Sequence, residues 1–293
     1  MGQIWSFLVR FVINFVRLLG GKRSWSGGLL YTWGMLICFD MDDTLLNSQH
    51  RVAPGTAAAL AQLRANGHRV MLISSRPTRS VYLYAQSLGL EDEMHVSLGG
   101  SYLFRGQQAL YDQPAEPALC ARAAQVAEGL KLHISAYSGW LWLANFREHY
   151  LRIEEHIVGF EADELRDLAT HPVAPNKLVA MGEPHQTRAY ADAMRQSGLA
   201  FTVNIDHPRF YELTAPGINK SSGLRHACDL LGITAADVVA FGDGDNDVDM
   251  LRFAGIGVAM ANALPVAKAA ADKIAGHHDE GGIEKMLAEL GLV

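Results

Sequence analysis

The sequence predicts an α/β protein in which a parallel-sheet core, built from the two ends of the chain, is interrupted by an inserted α+β unit. Three observations carry that expectation. Short apolar runs alternate with helical patterns from Met35 to about residue 99, the same rhythm returns after residue 212, and between them strands arrive in hairpin-like pairs. Alternation of strand and helix marks a parallel sheet, whereas strands joined by a short turn pair antiparallel.

Taken in order, "LICFD" (36–40) has the length and continuous apolarity of a buried strand. "APGTAAALAQLRANG" reads as a helix closed by Gly67, "RVMLIS" as a second strand, and a further helix ends near Gly89. In the middle, "SYLFRGQQALY" and "KLHISAYSGWLWLAN" read as hairpins interleaved with helices. The core rhythm then resumes with a helix through "KSSGLRHACDLLG", the strand "VVAFGD", a helix from Asp247, the strand "GIGVAM" and a last helix after Gly282. The expected organisation is a Rossmann-like core of residues 35–99 and 213–293 with an inserted α+β domain at 100–212.

Residues 1–34 differ from the rest. In "IWSFLVRFVINFVRLL" the polar residues Ser6, Arg10, Asn14 and Arg17 recur at three- and four-residue spacing, which gives a helix one narrow polar stripe against a broad apolar face. Arg10 and Arg17 interrupt the run well short of the roughly 20 apolar residues of a bilayer span. No basic region precedes it as in a secretory signal. The segment reads best as an appendage joined through "GGKRSWSGG" to Met35, and contact of residues 4–19 with a membrane surface is the less favoured alternative.

The 293 residues are 49% hydrophobic, enough for a core in each of two domains. The net charge of −6 arises from intermingled acids and bases, with no basic block to follow a nucleic-acid backbone, so nucleic acid is not an expected partner. Cys38, Cys120 and Cys228 stand far apart without metal-ligand spacing, which fits a reducing cytoplasm.

In open parallel sheets ligands bind beyond the carboxyl ends of the strands. Here Asp40 and Asp42 follow the first strand, Ser74 to Arg76 follow the second, and "GDGDND" (242–247) follows "VVAF". Three carboxylates within four positions, Asp40, Asp42 and Asp43, are also common turn punctuation, so the convergence of three strand ends is what points to chemistry. "DGDNDVDM" is not an EF-hand loop, because Val248 and Ala254 stand where Gly and Glu are needed, and "LLGGKRS" is not a phosphate-binding P-loop, because Arg23 replaces the required Ser or Thr.

Asp40-x-Asp42-x-Thr44, Ser74, Lys220 at a helix start, and "GDGDND", in this order, resemble the four motifs of the haloacid dehalogenase-like phosphatase superfamily. The unit between the second and third motifs resembles the C2-type cap of its Cof-like (type IIB) sugar-phosphatase branch. The resemblance covers residues 35–293. It implies that Ser74, Lys220 and Asn246 bind the phosphoryl group, with Thr44, Arg76 and Asp247 in support. This chain departs from the common pattern with Asp43 in place of Gly, Ser74-Ser75-Arg76 in place of Thr-Gly-Arg, and "LGGSY" (98–102) in place of Asn-Gly-Ala. Serine still supplies the hydroxyl.

The chemistry accounts for the same spacing. Phosphate-ester hydrolysis through a covalent intermediate needs a carboxylate nucleophile, Asp40, and a second carboxyl, Asp42, two residues on to protonate the leaving alkoxide and activate water. Mg²⁺ takes a few carboxylate oxygens plus water and phosphate, and the expected ligands are Asp40, the backbone carbonyl of Asp42, and Asp243. The expected substrate is a small phosphorylated metabolite, a sugar phosphate in the first instance. A phosphomutase of the same fold, or a non-catalytic metabolite-binding regulator, would use the same residue types, and release of inorganic phosphate separates them. In the inserted unit Tyr137, Trp140, Trp142, Arg147, His149 and Tyr150 could face a polyol, but alternating strand aromatics are more often core packing. Asp43 is expected as an exposed turn residue.

Overall fold

The structure is a computed structural model that describes residues 34–145, 148–205 and 208–293. The N-terminal amphipathic segment with its linker, and Arg147, lie outside the described residues. Among the described residues no helix is long and apolar enough to cross a membrane.

The chain runs from β1 (Leu36–Phe39) and β2 (Arg69–Leu72) into β3 (Met94–Ser97), β4 (Tyr102–Arg105) and β5 (Gln108–Asp112). It continues through β6 (His133–Ser138), β7 (Leu141–Ala144), β8 (Glu164–Leu165), β9 (Lys177–Met181), β10 (Thr202–Asn204) and β11 (Phe210–Thr214). It returns with β12 (Val238–Gly242), β13 (Ile256–Ala259) and β14 (Lys273–Ile274). The core sheet has the order β14-β13-β12-β1-β2 and is parallel throughout. β1 lies inside the sheet, between β12 and β2, and all four of its side chains are apolar and buried, which suits a strand covered on both faces. Phe39 stacks on Phe241 of the neighbouring β12 with ring centroids 4.9 Å apart. Burying such a side chain fully contributes about 1.5–3 kcal/mol.

Helices form where the sequence places them. Pro54–Ala65 begins with proline at its first turn and ends before Gly67 at φ 84°, and Lys220–Leu231 ends at Gly232 in the left-handed conformation. A six-stranded sheet of order β10-β11-β9-β6-β7-β8 makes up the inserted unit. Helices Pro117–Gly129 and Pro184–Arg195 pack on one face of it around Leu119, Ile134, Leu178, Tyr190 and Met194. Tyr137 and Trp142 are buried and stacked on each other, so these two aromatics serve as core. Trp140 is half-buried, edge-on to Tyr82 and Phe104.

The hairpin at 102–112, expected within the inserted unit, instead pairs through β4 with β3, which meets the core sheet at the Ile73–Val96 bridge. A turn signal shows that two strands pair but carries no information about the third strand they join. His95 ties this small sheet to β2. Its Nδ1 accepts the Leu72 amide at 3.1 Å, so Nε2 carries the proton and donates to the Leu90 carbonyl at 2.8 Å.

His95 is wholly buried, and burial pushes its pKa from 6.5 down to about 4. The unfolded chain therefore takes up the proton first as pH falls. The stabilisation due to neutral His95 is complete above about pH 6.5 and is lost progressively towards pH 4, by about 3 kcal/mol in all. Urea unfolding at pH 7 and pH 4.5 should show that His95→Gln removes about 2 kcal/mol of the acid-induced loss of stability seen in the parent protein.

Candidate active site

Register sets the stage. Phe39 is opposite both Leu72 and Phe241, so the segments after β1, β2 and β12 leave the sheet at one edge, side by side. The Asp40 amide donates to the Phe241 carbonyl at 3.0 Å, which fixes the first residue beyond β1. The backbone then turns tightly, with the Leu45 amide on the Asp40 carbonyl and the Leu46 amide on the Met41 carbonyl, and Asp43 adopts φ 54°. Asp43 is exposed at this turn, as expected.

Lys220 organises the edge. It is 2% exposed, and its Nζ donates to Asp40 Oδ1 at 2.6 Å, Asp247 Oδ1 at 2.7 Å and Asn246 Oδ1 at 3.1 Å. An ammonium has three protons, and here each has an acceptor. The helix Lys220–Leu231 presents the lysine from its first residue, with Asn219 as cap accepting the Ser222 amide at 2.9 Å. Gly100 lets the cap approach: at φ 110° a side chain there would bring Cβ within 1.9 Å of the Asn219 carbonyl oxygen.

Asp247 is fully buried, and its Oδ2 accepts the amides of Asp243 and Gly244 at 3.0 and 2.9 Å. Thr44 donates from Oγ1 to Asp243 Oδ1 at 3.0 Å. Carboxylate oxygens of Asp40, Asp243 and Asp247 lie within 4.8 Å of one another. Both oxygens of Asp247 are engaged, whereas Asp40 Oδ2 and Asp243 Oδ2 accept no hydrogen bond from the described residues.

Three carboxylates thus face one ammonium. Burial raises the Asp40 pKa well above its usual value, and the charge of Asp247 adds to this against the opposing pull of Lys220. Burial and Asp247 likewise raise Asp243 to about 6. Burial disfavours the Lys220 ammonium, but Asp247 and Asp40 outweigh it and its pKa is raised. The cluster carries surplus negative charge, and its donors are hard oxygens. That is the composition that suits Mg²⁺.

Asp42 stands apart from this cluster. Arg76 grips its carboxylate with both arms, Nε to Oδ2 at 2.8 Å and Nη2 to Oδ1 at 2.7 Å, and His50 Nδ1 lies 3.6 Å from Oδ1. Burial acts to raise the Asp42 pKa, but the hydrogen bonds and charge of Arg76 prevail and hold it below the usual range. Ser74 is buried at the end of β2, and its Oγ accepts the Arg76 amide at 3.1 Å. Of the residues expected from sequence, Asp40, Asp243, Asn246, Asp247, Lys220 and Thr44 form one hydrogen-bonded group, while Asp42, Arg76 and Ser74 form a second beside it.

Sequence reasoning missed Lys177 and Glu212. On the six-stranded sheet, buried Lys177 donates from Nζ to Glu212 Oε1 at 2.7 Å and to the Ser75 carbonyl at 2.6 Å, so the inserted unit touches the loop after β2. The available signal was a lysine opening the otherwise apolar run "KLVAM".

Comparison with known proteins places these features in context. The family model described as haloacid dehalogenase-like hydrolase matches residues 37–287. The HMP-PP phosphatase of Serratia proteamaculans is 32% identical over 262 residues, covering 86% of this chain and 93% of that protein. A 5-amino-6-(5-phospho-D-ribitylamino)uracil phosphatase of Bacillus subtilis is 27% identical over 271 residues, covering 87% of this chain and 96% of its own length. The crystal structure of a haloacid dehalogenase-like hydrolase from Bacteroides thetaiotaomicron superposes with a TM-score of 0.81 at 27% identity, over 88% of this chain and 99% of that one.

Replacing Lys220 by methionine keeps the bulk but leaves the buried carboxylates without their cation. In metal-free protein Lys220→Met should lower unfolding free energy by about 3–5 kcal/mol at pH 8. The loss should be smaller at pH 5, where the orphaned carboxylates can take up protons, and denaturant titration at both pH values checks the sign.

Proposed function

Since the chain belongs to the haloacid dehalogenase-like hydrolase family and its Serratia proteamaculans and Bacillus subtilis relatives are named phosphatases, we propose that it is a Mg²⁺-dependent phosphatase that cleaves a small phosphorylated metabolite through an aspartyl-phosphate on Asp40. The observation that carries this is the state of Asp40. One oxygen is pinned by Lys220 and the other accepts no hydrogen bond from the described residues, at the edge where three strand ends meet.

Asp40 attacks phosphorus, the bond from phosphorus to the leaving oxygen breaks, and Asp42 delivers a proton to that oxygen. Asp42 then removes a proton from water, which attacks the phosphoryl group and releases Asp40 and inorganic phosphate. Ser74, Asn246 and Lys220 hold the phosphoryl oxygens, Lys220 by exchanging its bond to Asn246 Oδ1, the longest of its three at 3.1 Å, for a phosphoryl oxygen, and Asp247 holds Lys220. For Asp42 to act as an acid it must leave Arg76, because that pairing keeps it ionised. Asp40, Asp243 and the Asp42 backbone carbonyl are the residues that would hold Mg²⁺, and the surplus negative charge of the cluster fits a divalent cation. When bound, the ion supplies neutralisation of phosphoryl charge.

The unit built on β6–β11 acts as a cap over the site, and the bond from Lys177 to the Ser75 carbonyl supports that placement. A cap suits small substrates and excludes bulk water. The ribityl phosphate in the name of the Bacillus subtilis relative supports a sugar or sugar-alcohol phosphate as substrate class. A reducing, cytoplasmic setting accords with three buried free cysteines.

Phosphate release from a panel of sugar and sugar-alcohol phosphates, with and without Mg²⁺, tests the proposal. Turnover should need the metal and fall about 10³-fold or more in Asp40→Asn; undiminished turnover in that variant, or none on any compound, would overturn it. Because Mg²⁺ competes with a proton on Asp243, its apparent affinity should rise as pH is raised through about 6, as measured by activation curves between pH 5 and 8.

A further inference from the structure

We propose that His277, His278 and Asp279 form a second metal site, for a divalent ion of the zinc class, on the loop between β14 and the helix Gly282–Glu289. Nothing in the phosphatase chemistry uses these residues. Their candidate ligand atoms lie within 4.8 Å of one another. Asp279 Oδ2 is 3.3 Å from His278 Nε2 and 3.7 Å from His277 Nδ1. Ligands at the corners of a tetrahedron around Zn²⁺, each about 2.0–2.1 Å from the ion, stand about 3.3 Å apart. The two imidazole rings are nearly perpendicular, at 88° with centroids 4.6 Å apart, so they do not stack face to face.

The second observation is an orphan. The His278 side chain is 6% exposed, yet its Nδ1 has no hydrogen-bond partner, and Asp43 Oδ1 lies 3.6 Å from it. With a metal on Nε2, the remaining proton must sit on Nδ1 and point at the Asp43 carboxylate. A ligating histidine backed by a carboxylate in this way is oriented and made more basic. Asp43, the carboxylate with no part in the proposed hydrolysis, thereby acquires one.

The surroundings hold both partners in place. Asn262 accepts the His278 amide on Oδ1 at 3.2 Å and donates from Nδ2 to the Asp43 carbonyl at 2.7 Å. Asp279 Oδ1 accepts the Ser48 amide at 2.9 Å, leaving Oδ2 to the ion. His277 Nδ1 accepts the Asp279 amide at 3.2 Å, a bond that ligation replaces. Three protein ligands leave a fourth position to water. Two imidazoles select zinc, cobalt or nickel over Mg²⁺, which takes oxygen. Occupancy would tie the C-terminal loop to the segment that runs from Asp40 to Ser48.

The test uses the full-length, untagged chain stripped by chelator, titrated with Zn²⁺ by calorimetry and with Co²⁺ by visible absorbance, both in excess Mg²⁺. One equivalent should bind, and Zn²⁺ should displace the Co²⁺ band. His277→Ala and His278→Ala should each weaken binding at least about tenfold, and Asp43→Asn about tenfold. Half-exposed His277 gives a readout even if the His278 variant does not fold. Asp243→Asn should keep the site. Absence of a tight equivalent, unchanged affinity in His277→Ala, or loss of binding in Asp243→Asn alone would overturn the proposal; unchanged affinity in Asp43→Asn would overturn the part assigned to Asp43.

Discussion

The ammonium of Lys220 is the interaction on which the rest of the edge depends. It is one buried positive charge that meets Asp40 after β1 and both Asn246 and Asp247 after β12, while itself starting a helix from a third part of the chain. A buried charge is tolerated only when fully hydrogen-bonded and paired. The chain therefore has to deliver three acceptors to one point, and the parallel sheet does so because neighbouring strands end in register at the same edge.

That requirement propagates into residues without reactive groups. Gly100 has to lack a side chain for the cap of the lysine helix to approach, and Gly242 has to lack one because its Cβ would lie 2.6 Å from Asp247 Cβ. Asp247 then spends both oxygens on Lys220 and on the backbone of its own turn. It is a carboxylate held for geometry, so that its neighbours Asp40 and Asp243 each keep an oxygen available.

The core was legible in the sequence because its signals are local. A buried strand such as "LICF", a helix closed by Gly67 or Gly232, and polar residues immediately after strands are each written within a dozen positions. The group around Lys220 was legible as a set of residue types in order. What escaped were relations between distant segments: the joining of β4 to β3, the reach of Lys177 to the Ser75 carbonyl, and the grip of Arg76 on Asp42. Pairing across long separations depends on register and packing, which no short window records. The aromatics Tyr137 and Trp142 went the way that burial favours, because alternating large apolar residues on a strand find a core more readily than a ligand.

Asp40 and Asp42 are pushed in opposite directions, and both are pushed away from the state that the proposed chemistry needs. Burial and Asp247 favour a proton on Asp40, the nucleophile, which must be ionised. Arg76 favours an ionised Asp42, the acid, which must carry a proton. Each bias is reversible by a single event of known sign. A divalent cation beside Asp40 and Asp243 stabilises their ionised forms, and departure of Arg76 removes the cation that keeps Asp42 charged, leaving burial to raise its pKa. Two carboxylates whose environments pull their pKa values apart are the usual basis for assigning distinct acid and nucleophile roles. Here the assignment is inverted at rest, so the order of events is constrained. Under the proposed mechanism, a cation would have to be bound before Asp40 could attack, and substrate would have to draw Arg76 from Asp42 before the leaving group could be protonated. On that proposed mechanism, the two biases would keep the pair from acting until metal and phosphate were both in place.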